Sequence, residues 1–503
     1  MSPAPWSLAF VGTLATGAAL YTLLHKKSPP LPYPPGPPPA PLLGNMLQLP
    51  HEEPFKTYTE WAATYGELIH LTALGKHIVV VNSVRAANDL LEKMSRVTSD
   101  RPGNTMIKLM DWDVNVGLKP YGDDWRRSRR MFHQQFNLPA VPKLHPVILR
   151  KSRELLRNLQ AEPTEVLKNF EFYVASAAIY LTYGIEIMAD HDKIMDATIR
   201  AIRILDDAIL PGSQLLDLIP PLRYLPEWFP GATFHRTAAK SRKLVKDMRE
   251  LPFNVVKERM AEGTAPPSWA KELIENAKDE EEVKYAEGVT AMAFSAAADT
   301  TNSTLRSFLL EMVRHPEVQA RAQAEIDAVI GERLPTHDDR PDLPFIDAIL
   351  KEVMRLHPAI PLVTPHDTTQ DIIYEGHFIP KGTSLVANSW CMGHNPEMFP
   401  APDEFRPERF LDPALLKQEP FTFGFGRRIC VGRYLGEAVM WIAAASLLAC
   451  YTVVPLKRDG KEVPIPGDYC GIMIRYPAPF ECMLVPRSAE HMDLIKNAPE
   501  VAV

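Results

Sequence analysis

The stretch Phe423-Gly-Phe-Gly-Arg-Arg-Ile-Cys430-Val-Gly432 sets one thiol in a glycine-rich loop beside fixed positive charges. Metal binding belongs to the thiolate, and a free cysteine with a pKa of about 8.5 needs nearby positive charge or a metal to stay ionised. Arg427, Arg428 and Arg433 are expected to supply that charge. The loop therefore predicts a thiolate ligand for a metal.

Glycines in this loop mark positions where the backbone is expected to leave the usual conformations. Gly424, Gly426 and Gly432 can do so and can approach a flat, bulky ligand closely. A helical pattern from Arg433 to Leu448 follows, and its first amide groups should stabilise negative charge on the sulfur. The loop therefore suits one face of a haem, although glycine, arginine and cysteine also occur together in ordinary loops.

A pair of opposite charges lies in an apolar-periodic segment from about Phe345 to Leu356. Glu352 and Arg355 are three residues apart, so they share one face of a helix. Most such pairs are solvated surface bridges worth about 0 to 1 kcal/mol. The pair alone therefore indicates little about function.

An acid followed directly by a hydroxyl residue occurs in an alanine-rich helical pattern from about Tyr285 to His315. Asp299 and Thr300 are predicted to form a proton relay beside a gap that admits dioxygen. General acid-base assistance of this kind contributes about 10² to 10⁴ in rate. The alternatives are a solvated polar face and hydroxyl groups that bond back to helix carbonyls.

Two further motifs, Trp125-Arg-Arg-Ser-Arg-Arg130 and Phe405-Arg-Pro-Glu-Arg-Phe410, complete a set whose order and spacing resemble those of the cytochromes P450. These are haem-thiolate monooxygenases, and the likeness is to fungal microsomal members similar to O-methylsterigmatocystin oxidoreductase. It covers essentially the whole chain. The resemblance implies the cytochrome P450 fold, mainly α with a small β-sheet portion, in a single catalytic domain with an N-terminal transmembrane helix.

The resemblance also implies roles for individual residues around haem b. The implied cofactor-binding residues are Trp125, Arg129, His366, Phe423, Arg428, Cys430 and Gly432. Cys430 is the implied axial thiolate, and arginine suits the haem propionates because its planar fork binds carboxylates in a bidentate manner. His366 takes a position where many relatives carry arginine, so a simple loop histidine is the alternative.

Two more implications concern Arg409 and Ala297. Arg409 is expected to complete a structural Glu-Arg-Arg network with the helical pair, and if that network is buried, loss of one member should cost about 3 to 5 kcal/mol. The family often has glycine where this chain has Ala297, which narrows the predicted groove above the iron without removing a relay group.

Length and composition agree with this interpretation. The chain has 503 residues, of which 46% are hydrophobic, enough for a sizeable core. Its net charge of −7 argues against general nucleic-acid binding. The 5 cysteines show no paired spacing and indicate reduced thiols in a protein that faces the cytosol.

The N-terminus predicts a membrane anchor. The run from Trp6 to Leu24 has no charged residue and, at about 1.5 Å per residue, nearly spans a bilayer core of about 30 Å. A cleaved signal peptide is the alternative, but no basic residue precedes the run. Lys26 and Lys27 follow it, which favours a single-pass protein of the endoplasmic reticulum membrane with its catalytic domain in the cytosol.

Three regions are predicted: an anchor (1–27), a proline-rich hinge (28–45) and a catalytic domain (46–503). The proline tract cannot be helical and should form a stiff extended spacer. Beyond it, strands are predicted at Leu68–Leu71 and His77–Val81 around a turn at Gly75-Lys76, with further β-prone runs near 372–378, 385–387 and 480–485. The remaining predicted helices span roughly 84–94, 147–159, 165–183, 236–260 and 316–330.

Two segments are predicted to handle substrate. The apolar, proline-broken stretch from Leu215 to Pro230 matches the family's membrane-dipping access loop, with a plain core connection as the alternative. The stretch from Thr105 to Val116 matches the loop that roofs the haem pocket, although its methionines are also typical of core filling.

The sequence therefore predicts a monooxygenase that oxidises an apolar, secondary-metabolite-like molecule with dioxygen. The resemblance implies electrons from NADPH through NADPH-cytochrome P450 reductase, with cytochrome b5 as a further partner. The reductase would dock at Arg126, Arg127 and Arg130, unless these form a solvated helix face. The rival functions are a haem-thiolate isomerase or dehydratase that needs no reductase, and a non-catalytic haem-binding protein.

Overall fold

Helices dominate the computed structural model, which describes residues 29–187, 193–206, 208, 215–465, 467–471 and 473–501. The predicted membrane anchor lies outside these residues. The α-helices are α1 (Pro54–Tyr65), α2 (Val84–Ala87), α3 (Thr105–Leu109), α4 (Asp123–Phe136), α5 (His145–Ala161), α6 (Val166–Tyr183), α7 (Lys193–Asp206), α8 (Leu215–Leu218), α9 (Phe234–Ala261), α10 (Trp269–Glu275), α11 (Glu280–Arg314), α12 (Pro316–Ile330), α13 (Pro344–Leu356), α14 (Ser389–Gly393), α15 (Pro413–Leu416), α16 (Arg433–Cys450) and α17 (Ala489–Lys496).

The strands are short and form small sheets. They are β1 (Leu68–Ala73), β2 (Lys76–Val81), β3 (His366–Asp367), β4 (Ile372–Tyr374), β5 (His377–Ile379), β6 (Ser384–Ala387), β7 (Tyr451–Pro455), β8 (Lys457–Arg458), β9 (Lys461–Glu462), β10 (Tyr469–Cys470), β11 (Tyr476–Pro477) and β12 (Cys482–Pro486). The largest sheet has the order β1-β2-β6-β3, in which β2 and β6 are parallel and the other pairs antiparallel. The predicted mainly α class with a small sheet portion is thus confirmed.

Helix α11 runs through the centre of the molecule and packs against α6 and α16. Its middle is rich in alanine and other small residues, so neighbouring helices approach it closely. Helix α16 is buried from Ala438 to Cys450 and packs in turn on α5. These helices form the core that carries the cysteine loop, which lies directly before α16.

Helix α16 is also the one helix, among the residues described, that is long and apolar enough to cross a membrane. Of its 18 residues, 78% are buried inside the protein. Since its apolar side chains already contact other helices, we interpret it as a core helix.

The predicted hairpin is confirmed, because β1 and β2 pair with Ile69 opposite Val80. Its turn lies at Leu74 and Gly75, one residue before the predicted Gly75-Lys76, because Lys76 pairs with Ala73. The predicted helix at 84–94 differs from the structure. It begins as α2 and continues as a π-helix from Asn88 to Lys93, where Leu90 and Leu91 are fully buried. The wider π turn occurs where this segment contacts the cysteine loop, and such turns are frequent at functional sites.

The proline tract is not helical, as predicted, and it packs on the catalytic domain. The amide of His70 in β1 donates to the carbonyl of Pro35 at 2.8 Å, and the amide of Phe378 in β5 donates to Pro32, also at 2.8 Å. Tyr33 stacks on His70 with ring centroids 4.6 Å apart. The tract is therefore fixed to the sheet from Pro32 onward, and its role as a hinge stays a prediction.

Candidate active site

An interior cavity of about 340 Å³ lies between α4, α11 and the cysteine loop. It is lined by Trp125, Arg129, Asp299, Thr300, Phe423, Arg428, Cys430 and Gly432, that is, by every predicted site residue except His366. A larger groove of about 740 Å³ opens between α9 and the start of α11, but it is lined mainly by charged side chains such as Lys246 and Glu250. The predicted site residues other than His366 therefore share the interior cavity.

The cysteine loop is a tight turn held by its own backbone. The amide of Cys430 donates to the carbonyl of Phe423 at 2.8 Å. Gly424 and Gly426 have φ angles of +77° and +57°, and a Cβ on Gly426 would lie 2.0 Å from the carbonyl oxygen of Leu91. Gly432 differs from the prediction: its φ of −89° suits any residue, so its contribution is the cavity wall that it lines.

The thiol of Cys430 is exposed, yet it lies inside the protein, because its free surface faces the cavity. Burial raises the pKa of this thiol, while the amide of Gly432 and the guanidinium groups of Arg129 and Arg433 oppose that rise. Burial of the sulfur therefore works against the thiolate, whereas the Gly432 amide and the two guanidinium groups favour it.

Two of the three arginines expected to act on the sulfur point elsewhere. Arg427 donates to the hydroxyl of Tyr121. Arg428 donates to the carbonyls of Ser99 and Lys119, each at 2.8 Å. The predicted action on the sulfur holds for Arg433. Arg129 was missed in this role because it is far from Cys430 in sequence.

Three guanidinium groups, those of Arg101, Arg129 and Arg428, line one side of the cavity. Burial lowers the pKa of all three, that of Arg428 to about 10, and the charge of Arg428 lowers the pKa of Arg101 further. Arg428 also lies over the ring of Trp125, 4.4 Å from its centroid. Buried like charges are stabilised by anions, so this side of the cavity fits the carboxylates of haem propionates.

Arg101 was missed by the sequence analysis. It donates to the carbonyls of Gly117, Thr364 and Pro365 at 2.6 to 2.7 Å, and these contacts hold it at the cavity wall. The Asp-Arg-Pro stretch at 100–102 offered no helical spacing or paired charge that would single it out.

His366 lies beside this cluster in β3 and is buried. Its Nδ1 contacts the carbonyl of Thr98 at 2.8 Å, while its Nε2 is buried without a partner among the described residues. Burial, followed by the charge of Arg101, lowers the pKa of this imidazole well below its usual value. His366 does not line the cavity, and propionate binding by His366 stays a prediction.

The predicted Glu-Arg-Arg network is confirmed. Glu352 accepts from Nε of Arg355 at 2.6 Å and from Nε of Arg409 at 3.3 Å, and the carboxylate is completely buried. Arg355 also donates to the carbonyl of Gly393 at 2.7 Å. The network therefore fixes α13 to the segment that precedes the cysteine loop.

On the opposite wall, α11 faces the sulfur with small residues. Ala296 is exposed to the cavity although it lies in the middle of a central helix. The hydroxyl of Thr300 donates to the carbonyl of Ala296 at 2.9 Å, the back-bonding that the sequence left open as an alternative. Because that bond uses only the hydroxyl proton, the oxygen of Thr300 can still accept a hydrogen bond in the cavity.

The carboxyl group of Asp299 lies at the cavity wall and accepts a hydrogen bond from the hydroxyl of Tyr476. Burial raises the pKa of Asp299 to about 6, aided by the charge of Glu171 and opposed by those of Arg203 and Arg306. A carboxyl group with such a pKa takes up and releases protons near neutral pH. Tyr476, more than 170 residues away along the chain, was not singled out by the sequence.

The predicted roof segment, Thr105 to Val116, contributes side chains to both the core and the cavity. Met106 and Met110 are buried in the main core, as the alternative of core filling predicts. Trp112 and Val116 line the cavity. The roof over the cavity thus comes from the second half of the segment.

Comparison with known proteins agrees with this geometry. The family model described as Cytochrome P450 matches residues 34–480. The chain is 37% identical to Cytochrome P450 monooxygenase ple1 of Rhodocybe pseudopiperita, over 93% of this chain and 92% of that protein. It is 38% identical to Cytochrome P450 monooxygenase COX1 of Coprinopsis cinerea (93% and 94%) and 35% identical to Tryptamine 4-monooxygenase of Psilocybe cyanescens (91% and 93%).

A cavity that joins a cysteine thiol to a cluster of buried arginines defines a haem-thiolate protein. The chain belongs to the cytochrome P450 family, and its relatives are fungal monooxygenases. The family implies a haem iron with a cysteine thiolate ligand, and the residues of the cavity fit that group. The five cysteines are free, which agrees with the predicted reduced thiols.

Proposed function

We propose that this protein is a membrane-anchored monooxygenase that inserts one atom of dioxygen into an apolar, secondary-metabolite-like molecule, with electrons from NADPH through a partner reductase. The observation that carries the proposal is one cavity that contains Cys430 on one wall and the Asp299–Thr300 pair on another. The arginine cluster between these walls supplies the charge that haem propionates need.

Each wall has a separate task in this proposal. Haem, when bound, supplies the oxygen chemistry, and a thiolate ligand favours cleavage of the oxygen-oxygen bond. Cys430 is the thiolate, while Trp125, Arg129 and Arg428 hold the propionates, with His366 as a further partner. Phe423 and Gly432 form the loop wall against the cofactor.

On the opposite wall, Asp299 supplies protons and Thr300 orients a group in the cavity. The carboxyl group of Asp299 would take up a proton from the solvent side, and the oxygen of Thr300 would accept a hydrogen bond, because its own proton is donated to the carbonyl of Ala296. Apolar side chains such as Val116, Ile360 and Met473 surround the remaining space and favour an apolar substrate.

Helix α4 supports the docking of an acidic redox partner. Trp125 and Arg129 line the cavity, whereas Arg126 and Arg130, one position further on, are exposed. Arg126 and Arg127 already contact Asp123 at 3.0 Å and Glu282 at 3.5 Å. A partner carboxylate would therefore compete with local pairs. NADPH-cytochrome P450 reductase and cytochrome b5 are both candidates for this surface.

Exposed apolar side chains support a second contact with the membrane besides the N-terminal anchor. Tyr224 and Trp228 are 75% and 81% exposed, and Phe229 is 43% exposed. Lys76, next to the β1–β2 turn, donates to the carbonyl of Asp217 at 2.5 Å, which ties the access segment to the sheet. Such a patch marks a lipid contact when it borders the entry to an apolar site.

The proposal is tested by expression of the full chain with a fungal P450 reductase. We expect the reduced enzyme to give the red-shifted carbon monoxide band of the family. A panel of apolar metabolites, with tryptamine included because one relative is named for it, is then screened for substrate-induced spectral shifts and for oxygenated products.

The rival functions give different results in the same experiment. An isomerase or dehydratase would convert a compound without NADPH and without a gain of oxygen. A non-catalytic haem protein would show the band but no spectral shift and no oxygen consumption. The monooxygenase requires a product that is heavier by one oxygen atom and appears only with NADPH.

A further inference from the structure

The side chain of Asp299 contacts a second ionisable group outside the predicted relay. The hydroxyl of Tyr476, in β11, donates to Oδ1 of Asp299. Asp299 and Thr300 line the cavity, whereas Tyr476 lies behind the wall that they form. The phenol therefore belongs to a residue that does not itself line the cavity.

Charged groups connect this contact to the surface. Arg306 lies on the same face of α11, two turns after Asp299, with its guanidinium group 5.9 Å from the ring centroid of Tyr476. Arg306 pairs with Glu171 of α6 at 2.5 Å, and the side chain of Glu171 is 38% exposed. Arg203 of α7 also acts on Asp299. Charged side chains thus extend from the neighbourhood of this contact to the partly exposed Glu171.

The backbone around Tyr476 is fixed by contacts with the core. The amide of Arg475 donates to the carbonyl of Ala359 at 2.9 Å, and its own carbonyl accepts from the hydroxyl of Ser303 in α11. Arg475 is buried, with its guanidinium group 4.0 Å from the ring centroid of Tyr469. These contacts hold the phenol of Tyr476 at one distance from α11.

We propose that Tyr476 is a positioning residue of the monooxygenase reaction: its phenol holds the carboxyl group of Asp299 on the solvent side and sets when that group takes up a proton. The proposal rests on the proposed function, because it concerns the proton supply of the same site. For each proton delivered, the carboxylate of Asp299 gains one proton from water and gives one to the cavity, so it returns to its ionised form, while the phenol of Tyr476 keeps its own proton.

Loss of the phenol should shift the pKa of Asp299 in one direction. A donor to a carboxylate stabilises its ionised form and lowers its pKa. Burial and Glu171 raise the pKa of Asp299, and Arg203 and Arg306 lower it. The hydrogen bond from the phenol should lower it as well. Tyr476→Phe should therefore move protonation of Asp299 to higher pH by about one unit, the effect of one hydrogen bond to a charged group.

The experiment uses the haem-loaded full chain in vesicles of phosphatidylcholine. The infrared C=O stretch of the protonated carboxyl group is followed against pH, and the band of Asp299 is the one that Asp299→Asn removes. We expect a midpoint near 6 in the wild type and about one unit higher in Tyr476→Phe. An unchanged midpoint overturns the proposal.

Tyr469→Phe is the matched control. Tyr469 lies in the paired strand β10, and its hydroxyl contacts Oγ of Ser307 in α11 at 3.3 Å. The change removes one phenol from the same hairpin without touching Asp299, so the midpoint should stay at the wild-type value. If Tyr476→Phe loads no haem, Tyr476→Leu replaces it, because leucine carries no hydrogen-bond donor at Asp299.

A second measurement links the contact to the reaction. NADPH consumption with reductase, without added substrate, is recorded against pH for the same variants. In Tyr476→Phe, we expect the part of the pH profile that depends on Asp299 to shift by the same amount as the infrared midpoint. A midpoint that moves while the pH profile stays fixed overturns the role of Tyr476 alone. A haem-loaded wild type that forms no oxygenated product from the metabolite panel with NADPH and reductase overturns the proposed function itself.

Discussion

The two walls of the cavity are built in different ways. On the wall that carries Cys430, backbone contacts and buried ion pairs fix the loop. The amide of Cys430 donates to the carbonyl of Phe423, and Glu352 pairs with Arg355 and Arg409. On the opposite wall, α11 presents Ala296 and Thr300 to open space, and the surrounding segments are mostly apolar. The first wall is built to hold one geometry, while the second leaves room for a substrate.

The largest effect is expected from Cys430→Ser. An alcohol oxygen is a poor substitute for thiolate at iron, so activity and the red-shifted carbon monoxide band should both disappear. Cys470→Ser changes an exposed thiol on β10 and should keep both. A Cys430→Ser enzyme that retained the band and turnover would disprove the ligand assignment.

Glu352→Gln tests whether the network holds the cysteine wall. Glu352 is completely buried between Arg355 and Arg409. Its neutralisation leaves buried positive charge unpaired, so stability should fall by about 3 to 5 kcal/mol. The measurement is the midpoint of thermal unfolding, with the retained haem as a second readout.

Glu481→Gln is the control for that change. Glu481 pairs with Arg458 at 2.8 Å, but both side chains are exposed, so the loss should be about 0 to 1 kcal/mol. Equal losses in the two variants would mean that the buried network does not stabilise the cysteine wall.

The sequence predicted local patterns better than contacts between distant segments, for a physical reason. The cysteine loop and the Glu352–Arg355 pair are local patterns, in which the spacing along the chain decides which side chains meet. Arg101 reaches the cavity, and Tyr476 reaches Asp299, through folding of distant segments, and no local spacing indicates either contact. The helices were predicted well because their apolar periodicity is also local, whereas the π turn at 88–93 depends on contact with the loop at Gly426.

Thr300→Ala tests the role of the hydroxyl group on the opposite wall. Haem binding should be intact, while product formed per NADPH consumed falls and peroxide rises, because the hydroxyl no longer holds the oxygen species for protonation. General acid-base losses are typically about 10² to 10⁴, and the loss here should lie below that range because water can enter the gap.

Thr290→Ala is its control. Thr290 lies on the same helix and makes the same bond, from its hydroxyl to the carbonyl of Ala286 at 2.9 Å, but it is buried away from the cavity lining. Its loss should leave the ratio of product to NADPH unchanged. Identical ratios for wild type and Thr300→Ala would remove Thr300 from the mechanism.

The smallest effect is expected at the membrane. Deletion of residues 1–27 should release much of the protein from membranes and leave the haem site folded, since the cavity residues lie beyond the proline tract. Some attachment should persist through Trp228 and Phe229, because buried apolar surface contributes about 25 cal/mol per Å². Adding Trp228→Glu and Phe229→Glu to the truncated form should weaken this remaining attachment in a flotation assay.

The matched control for these charges is the truncated form with Leu138→Glu and Val329→Glu, which alters exposed apolar residues on other segments by the same two charges. If only general charge repulsion from lipid acts, both double variants should lose attachment equally. If the access segment enters the bilayer, the loss should be confined to Trp228 and Phe229. Equal flotation of the truncated form with and without their substitution would identify the segment as an internal connection, with no part in lipid binding.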